Sequence, residues 1–250
     1  MAYKTVLSFI LAVIFLAGCA TLSTPDTQSV LQPQGNSPDP TPTIFSGWQE
    51  QFDLSNCTMI STGENPYFIL EPGFQLTLEG GNEVLVITVL DETLEVEGIG
   101  TRVIEEREWR NDQLIEVSRN FFAMCEETKD VYYFGEEVDM YQGGVLSSHS
   151  GAWRSGEGNA MFGLIMPGDP KVGMKYYQEI APGVAMDRAE IISLDDTIGT
   201  PAGEFPNSLK TKEGTALNLL EVEYKAYAPG IGLIQDANLR LTGHGLVENN

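Results

Sequence analysis

The sequence predicts an all-β fold, an antiparallel meander that forms a curled sheet, an open barrel or a sandwich. Residues 83–97 form a long run that is rich in Val, Ile, Leu and Thr, and residues 93–97 alternate strictly, with Leu94 and Val96 on an apolar face and Glu95 and Glu97 on an acidic one. Similar runs recur along the chain with turn residues between them, and no segment shows the 3.6-residue periodicity and caps of a helix. Strands are therefore the only regular element that we expect.

The first element, residues 1–18, is predicted to be a lipoprotein signal peptide. Lys4 supplies a positive charge, and residues 6–17 are apolar except for Ser8. This run is shorter than the roughly 20 residues that a membrane span needs, and it has the composition of a secretory signal. The tetrapeptide 16–19, Leu-Ala-Gly-Cys, resembles the lipobox of bacterial lipoproteins.

That resemblance implies cleavage before Cys19 and acylation of its thiol, as in palmitate-bearing lipoproteins. The expected partner is then a lipid bilayer, and the expected location is a bacterial membrane surface outside the cytoplasm, either periplasm-facing or on the cell surface. Two or more acyl chains anchor a protein stably, whereas one binds only marginally. An ordinary secretory signal with an incidental Cys19 is the alternative.

Residues 19–43 are predicted to be a lipidated, disordered tether. The stretch holds five prolines and no aromatic residue, so it cannot bury enough apolar surface to offset the entropy of ordering. Aromatic and apolar side chains resume at Ile44, Phe45 and Trp48, and we therefore expect a single all-β domain over residues 44–250.

Within this domain the strand and turn signals alternate. After residues 83–97, apolar and β-branched runs predict strands at 114–122, 131–134, 174–180, 189–194, 208–212 and 220–227. Gly-, Asn- and Asp-rich pairs predict hairpin turns at 80–82, 111–112 and 142–144.

A faint internal repeat relates the two halves of the domain, with units at 65–140 and 165–240. The pentapeptide at 89–93, Val-Leu-Asp-Glu-Thr, is echoed by Ser-Leu-Asp-Asp-Thr at 193–197. Each unit would be a meander of about four strands. Two meanders can also reach this similarity without duplication, so both interpretations stay open.

Four segments carry a resemblance to a family. They read NPYFILEPG at 65–73, VYYFGEE at 131–137, MPGDPKVG at 166–173 and YAPGIGLI at 227–234. Together they resemble an uncharacterised group of bacterial secreted proteins and lipoproteins. The resemblance implies an antiparallel β domain outside the cytoplasm and no assigned reaction. The chain departs from the group's pattern at Met124 and Cys125, where an acidic residue is common in the group.

Two sets of residues are candidates for a role beyond the fold. Tyr132, Tyr133, Phe134 and Trp153 either fill the core or line a ligand cavity inside a curled sheet. Cys57 and Cys125 are the only thiols left once Cys19 is lipidated, and outside the cytoplasm they can form a disulfide. Two buried free cysteines are the alternative.

Charge and motif content limit the function. Lys and Arg number 14 against 36 Asp and Glu, for a net charge of −22, which argues against nucleic acid as a partner. The two histidines, His149 and His244, have no metal-ligand spacing, the acidic run at 126–139 lacks the order of a calcium loop, and no cofactor or metal motif is present.

The sequence therefore favours a membrane-anchored extracytoplasmic domain of binding or structural type, more a non-enzyme than an enzyme. A carrier or sensor of an apolar or glycan ligand is the alternative. A carboxylate-based hydrolase is a more distant one, because paired catalytic carboxylates are related in space and not by their spacing in the chain.

Overall fold

The computed structural model describes residues 47–247, and every regular element in that range is a β-strand. The all-β, antiparallel prediction is confirmed. The predicted signal peptide, Cys19 and the tether lie outside the described residues.

The strands, in chain order, are β1 (Met59–Ile60), β2 (Glu64–Asn65), β3 (Phe68–Ile69), β4 (Phe74–Gly80), β5 (Glu83–Val96), β6 (Ile99–Arg110), β7 (Gln113–Cys125), β8 (Val131–Gln142), β9 (Val145–Ser148), β10 (Trp153–Arg154), β11 (Met161–Met166), β12 (Lys175–Tyr177), β13 (Glu179–Ile180), β14 (Asp187–Thr200), β15 (Gly203–Thr215), β16 (Glu223–Ala228), β17 (Gly232–Asp236) and β18 (Leu239–Leu246).

One large sheet contains all of these strands except β2 and β3, which pair only with each other. Its order is β12-β14-β15-β16-β17-β18-β4-β5-β6-β7-β8-β11-β13, and β1, β9 and β10 join at β7 or β8. The two ends of this path, β12 and β13, are separated in the chain only by Gln178. The sheet is therefore nearly closed, like a barrel with one unsealed seam.

The predicted hairpin turns join neighbouring strands of this sheet. Asn111 and Asp112 both have positive φ, 50° and 60°, as the type I′ turn of a two-residue hairpin requires. The turns at 81–82, 111–112 and 237–238 lie at one end of the barrel. We call it the acidic end, because Glu108 and Glu116 lie opposite each other near it. The turns at 97–98 and 229–231 lie at the other, the far end, whereas the β14–β15 turn at 201–202 lies against β18, where the Ala202 amide donates to the Leu241 carbonyl oxygen at 3.1 Å.

Two predicted strands differ from the structure. The run 174–180 is divided into β12 and β13, because its first part pairs with β14 and its last part with β11. Residues 220–222 belong to the connection between β15 and β16, where Leu220 is 87% exposed. An apolar run without a pairing partner does not form a strand.

The same local geometry recurs in the two halves. The Gly73 amide donates to the Val89 carbonyl oxygen at 2.8 Å with φ 85°, and the Gly173 amide donates to Ile191 at 2.8 Å with φ 90°. The strands that follow, β5 and β14, both lose their regular register near the echoed pentapeptides. These correspondences share the offset of about 100 residues on which the predicted repeat is based.

The N-terminal segment, residues 47–70, crosses the far end of the barrel. The Asn65 side-chain amide donates to the carbonyl oxygen of Lys129 at 2.8 Å, and the Gly230 amide donates to that of Pro66 at 2.8 Å. These two hydrogen bonds connect the segment to the β7–β8 turn and to the β16–β17 turn. Because the two turns belong to different halves of the sheet, the segment covers this end and buries Leu70 completely.

Candidate functional site

The interior face of the barrel can be followed through the strand register, because directly opposite residues share a face. Ile87 on β5 lies opposite Glu106 on β6, which lies opposite Ser118 on β7. The next row towards the acidic end joins Leu85 to Glu108 and Glu108 to Glu116. Apolar residues of β5 thus share the interior with acidic residues of β6 and β7.

A cavity of about 120 Å³ lies inside the barrel. Most of its wall is apolar, formed by Phe68, Ile69, Phe74, Leu76, Leu85, Ile87, Val89, Ile104, Phe122, Ile165, Ile231, Gly232 and Leu233. The remaining wall is polar and consists of Glu106, Gln178, Lys225, Tyr227 and Asp236. The cavity therefore offers an apolar surface and a charged one to the same occupant.

The N-terminal segment forms part of the apolar wall. Phe68 packs edge-to-face against Phe122 on β7, with ring centroids 5.1 Å apart, and its neighbour Ile69 is buried. The cavity is thus bounded by the segment that covers the far end, whereas the acidic side chains lead from it towards the opposite end.

Lys225 on β16 is the centre of the charged wall. Its Nζ lies 3.4 Å from Asp236 Oδ2, 3.6 Å from Glu223 Oε1 and 3.7 Å from Glu213 Oε2. Burial alone would lower the pKa of Lys225, but the three carboxylates outweigh it and raise that pKa well above its usual value. Lys225 therefore stays charged and partly neutralises an otherwise anionic surface.

The negative charges of the β6 carboxyl groups, those of Glu106 and Glu108, are neutralised less completely by nearby positive charge. Burial raises the pKa of Glu106 to about 7, and the nearby Lys225 opposes this shift only in part. Burial raises the pKa of Glu108 to about 8, and Glu116 and Glu106 add to the shift. Near neutral pH a substantial fraction of both carboxyl groups is therefore protonated, unlike ordinary surface carboxylates.

A hydrogen-bond network surrounds Glu213 on β15. Its Oε1 accepts from Thr211 Oγ1 at 2.7 Å and from the Tyr227 hydroxyl at 3.3 Å. The Gln178 amide, at the seam, donates to Oε2 at 3.4 Å. This network connects the seam segment to the charged wall of the cavity.

The four aromatic candidates from the sequence are all buried, but none of them belongs to the cavity wall. Tyr133 lies opposite Phe122 in the β7–β8 register, and the two rings stack with centroids 4.7 Å apart, so Tyr133 packs beside a lining residue. Tyr132 and Phe134 both contact Phe162 of β11, and Trp153 contacts Tyr133 edge-to-face. In this structure the four residues form packed aromatic layers beside the cavity.

The functional residues that sequence reasoning missed are the interior carboxyl groups. Their signal is the run Glu105-Glu106-Arg107-Glu108, in which charge occupies both faces of one strand. Such a pattern usually indicates a solvated strand, yet β6 lies between β5 and β7 in the middle of the sheet. One of its charged faces must therefore point inward.

Cys57 and Cys125 form a disulfide, with Cα atoms 5.1 Å apart. It ties the N-terminal segment to the far end of β7, where β1 also pairs. Glu127 lies beside the two sulfurs. Within residues 47–247, Cys57, Cys125 and Glu127 are the one set of three His, Cys or acidic residues whose ligand atoms lie close enough together to hold a metal ion. Because the bridged sulfurs are no longer thiolates, this group is not suited to hold a metal.

The histidine and the acidic turn have local partners. The Nδ1 atom of His149 lies 2.8 Å from Asp139 Oδ1, and the Ser147 hydroxyl donates to the Met140 carbonyl oxygen.

Glu127, in the turn between β7 and β8, accepts from the Thr58 amide and hydroxyl at 2.8 and 2.6 Å. The acidic residues at this turn help to dock the N-terminal segment.

In the part of the chain that the structure describes, no helix has the length and apolar character to cross a membrane.

Comparison with known proteins gives no significant match: no family model, no curated protein and no solved structure matches this chain. The resemblance to secreted bacterial proteins therefore stays a prediction.

Proposed function

We propose that this protein is a lipid-anchored, extracytoplasmic binding protein that holds a small ligand inside its barrel-like sheet. The observation that carries the proposal is the interior cavity, whose wall is apolar on most sides and charged on one. Ligand sites in proteins commonly combine an apolar lining with a few polar groups that orient the ligand.

The volume of the cavity limits the ligand. At about 120 Å³ it is close to the ~150 Å³ apolar cavities that accept benzene, and smaller than most drug-sized sites. We therefore expect a ligand, or the buried part of a ligand, of about the size of one aromatic ring.

A carboxylate-based hydrolase is less well supported. Glu106 and Asp236 both line the cavity, as that alternative would need. However, Asp236 Oδ2 is already engaged by the ammonium of Lys225 at 3.4 Å.

Binding can be tested with toluene, because it matches the cavity in size and polarity. We expect saturable binding by the purified domain in solution NMR. Ile87→Phe should abolish it by filling the cavity, whereas Val86→Phe, on the opposite face of β5, should leave it unchanged. Absence of toluene binding to the wild-type domain would contradict the proposal.

Anchoring is tested separately, in cells. The lipobox-like segment leads us to expect a lipid adduct on the mature protein by intact-mass measurement. Cys19→Ala should leave an unprocessed precursor or move the domain to the soluble fraction. A mature wild-type protein without a lipid adduct would refute the anchor and leave the cavity unaffected.

A further inference from the structure

The interior of the barrel carries more negative than positive groups. The residues that face it around the cavity and towards the acidic end include one lysine, Lys225, and six carboxyl groups, those of Glu106, Glu108, Glu116, Glu213, Glu223 and Asp236. Three of the six lie within 4 Å of Lys225 Nζ. The charge of Lys225 is thus already shared among Asp236, Glu213 and Glu223, and it offsets the effect of burial on Glu106 and Glu108 only in part.

Glu106 is a carboxyl group of the cavity wall that forms no salt bridge with Lys225. Among residues 47–247 it makes no hydrogen bond and no salt bridge, and it forms part of the cavity wall. On the interior face the register neighbours of Glu106 are Ile87 on β5, whose side chain cannot donate a hydrogen bond, and Ser118 on β7, whose hydroxyl accepts from the Asn120 amide. Glu106 is half-buried, and a carboxyl group that loses water without gaining a donor is costly, so a bound donor would reduce that cost.

A second unmatched polar group lies on the same interior face. Tyr176 is opposite Ala189, which is opposite Glu213, so its ring points to the side of the sheet that carries the charged wall. The residue is 1% exposed, and its hydroxyl has no hydrogen-bond partner within the described chain. Tyr176 is not part of the cavity wall, but its hydroxyl is a second polar group on this face without a hydrogen-bond partner in residues 47–247.

We propose that the ligand is a primary amine whose ammonium group binds Glu106 and Asp236, while its apolar body lies against Phe74, Ile87 and Phe122. This inference rests on the proposed binding function and specifies its ligand class. An ammonium group carries three donors and no acceptor, which suits a wall of carboxyl oxygens. Hydrogen bonds to charged groups are also the stronger ones.

Binding should depend on pH through Glu106. The titratable or charged groups near it are Glu108 on the same strand, Glu116 on β7, Tyr133 on β8, Lys225 on β16 and Asp236 on β17, whereas Leu85, Ile87 and Val89 of β5 are apolar. Because burial raises the pKa of Glu106 to about 7, an ammonium ligand must displace its proton at lower pH. Affinity for an amine should therefore rise between pH 6 and pH 8.

The experiment compares benzylamine, benzyl alcohol and toluene, three probes of similar size, by calorimetry or NMR titration. At pH 8 we expect benzylamine to bind the wild-type domain at least about tenfold more tightly than benzyl alcohol. Glu106→Gln should remove that preference and keep toluene binding, and Glu95→Gln, an exposed site on β5, should change neither.

The outcomes separate the two proposals. If toluene and benzyl alcohol bind but benzylamine is not preferred, or if Glu106→Gln keeps the preference, the ligand class is wrong and the binding function stands. If none of the three probes binds, the proposed binding function fails as well.

Discussion

Lys225 holds together the charged wall of the barrel interior. One ammonium group lies within 4 Å of carboxylates from three strands, β15, β16 and β17. A buried ion pair adds little stability compared with an apolar pair, but removal of one partner leaves charges that are neither solvated nor neutralised. The arrangement therefore makes this part of the sheet sensitive to a single substitution.

Lys225→Met should destabilise the protein by about 3 kcal/mol at pH 8, because three carboxylates lose their shared cation. Lys212→Met, on the exposed face of the neighbouring strand β15, should change stability by less than about 0.5 kcal/mol. Urea denaturation of both variants measures the difference. Equal stabilities would show that Lys225 does not compensate the interior carboxylates.

The raised pKa values of Glu106 and Glu108 predict how stability depends on pH. Their folded-state pKa values, about 7 and about 8, lie above the ordinary pKa of 4.5 for a Glu side chain. The folded state therefore binds more protons than the unfolded state between about pH 4.5 and pH 8, and stability is lost as the pH rises through this window.

The double variant Glu106→Gln/Glu108→Gln removes these two titrations. We expect its melting temperature to exceed that of the wild type by an amount that grows between pH 4.5 and pH 8, then stays constant. Thermal scans at several pH values test this, with Glu95→Gln as the control. A difference that does not change with pH would contradict the two pKa shifts.

Among the elements, the seam segment 175–180 decides whether the barrel closes. It pairs with β14 through β12 and with β11 through β13, so one short stretch of chain joins both sides of the sheet. Gly163 on β11 permits the close approach, since a Cβ atom there would lie 2.4 Å from the Gln178 oxygen and 2.5 Å from the Tyr177 oxygen. Any larger residue must push the seam apart.

Gly163→Ala should therefore cost about 1–3 kcal/mol, as overpacking does elsewhere. Gly100→Ala is the matched control, because a Cβ atom at Gly100 on β6 would meet nothing within 4 Å. The shift in the denaturation midpoint is the measurement. A Gly163→Ala midpoint equal to that of Gly100→Ala would mean that the seam has room that the structure does not show.

The N-terminal segment is an element with few hydrogen-bonded strand residues of its own. It is held to the barrel by the Cys57–Cys125 disulfide, by Asn65 and by the packing of Phe68. Closing a loop of this length with a disulfide typically stabilises a protein by about 2–4 kcal/mol. The bridge thus keeps one wall of the cavity in place.

At the scale of the whole molecule, the two halves of the domain share one sheet. The first strand of the meander, β4, pairs with β5 on one side and with β18, from the second half, on the other. The sheet closes through contacts of this kind between distant parts of the chain. Neither half encloses the cavity alone, since its wall includes residues from both.

Residues 44–155 on their own should consequently fail to fold cooperatively, because β4 would expose an unpaired edge and the interior would open to water. Circular dichroism and amide NMR of this fragment, alongside the full domain, test the expectation. A cooperative thermal transition with dispersed amide resonances would show that the first half is an independent unit.

Much of the strand pattern could be predicted from local signals. The alternation at 93–97 and the Asn111-Asp112 turn act over a few residues, so the sequence alone carries them. The segment 174–180 looks like one strand for the same reason. Its division into β12 and β13 depends on two partners far away in the chain, and no local pattern records them.

Side-chain periodicity and turn conformations are short-range properties, so antiparallel strands joined by tight turns can be predicted from the amino-acid sequence. The pairing of Cys57 with Cys125, the near closure of the seam and the position of Glu106 beside an apolar cavity are visible only in the folded chain. These features depend on strand register and closure, which bring together residues distant in the chain. A charge on a strand has the same sequence signal whether its face meets water or the interior, and the difference in its pKa arises only when the barrel forms.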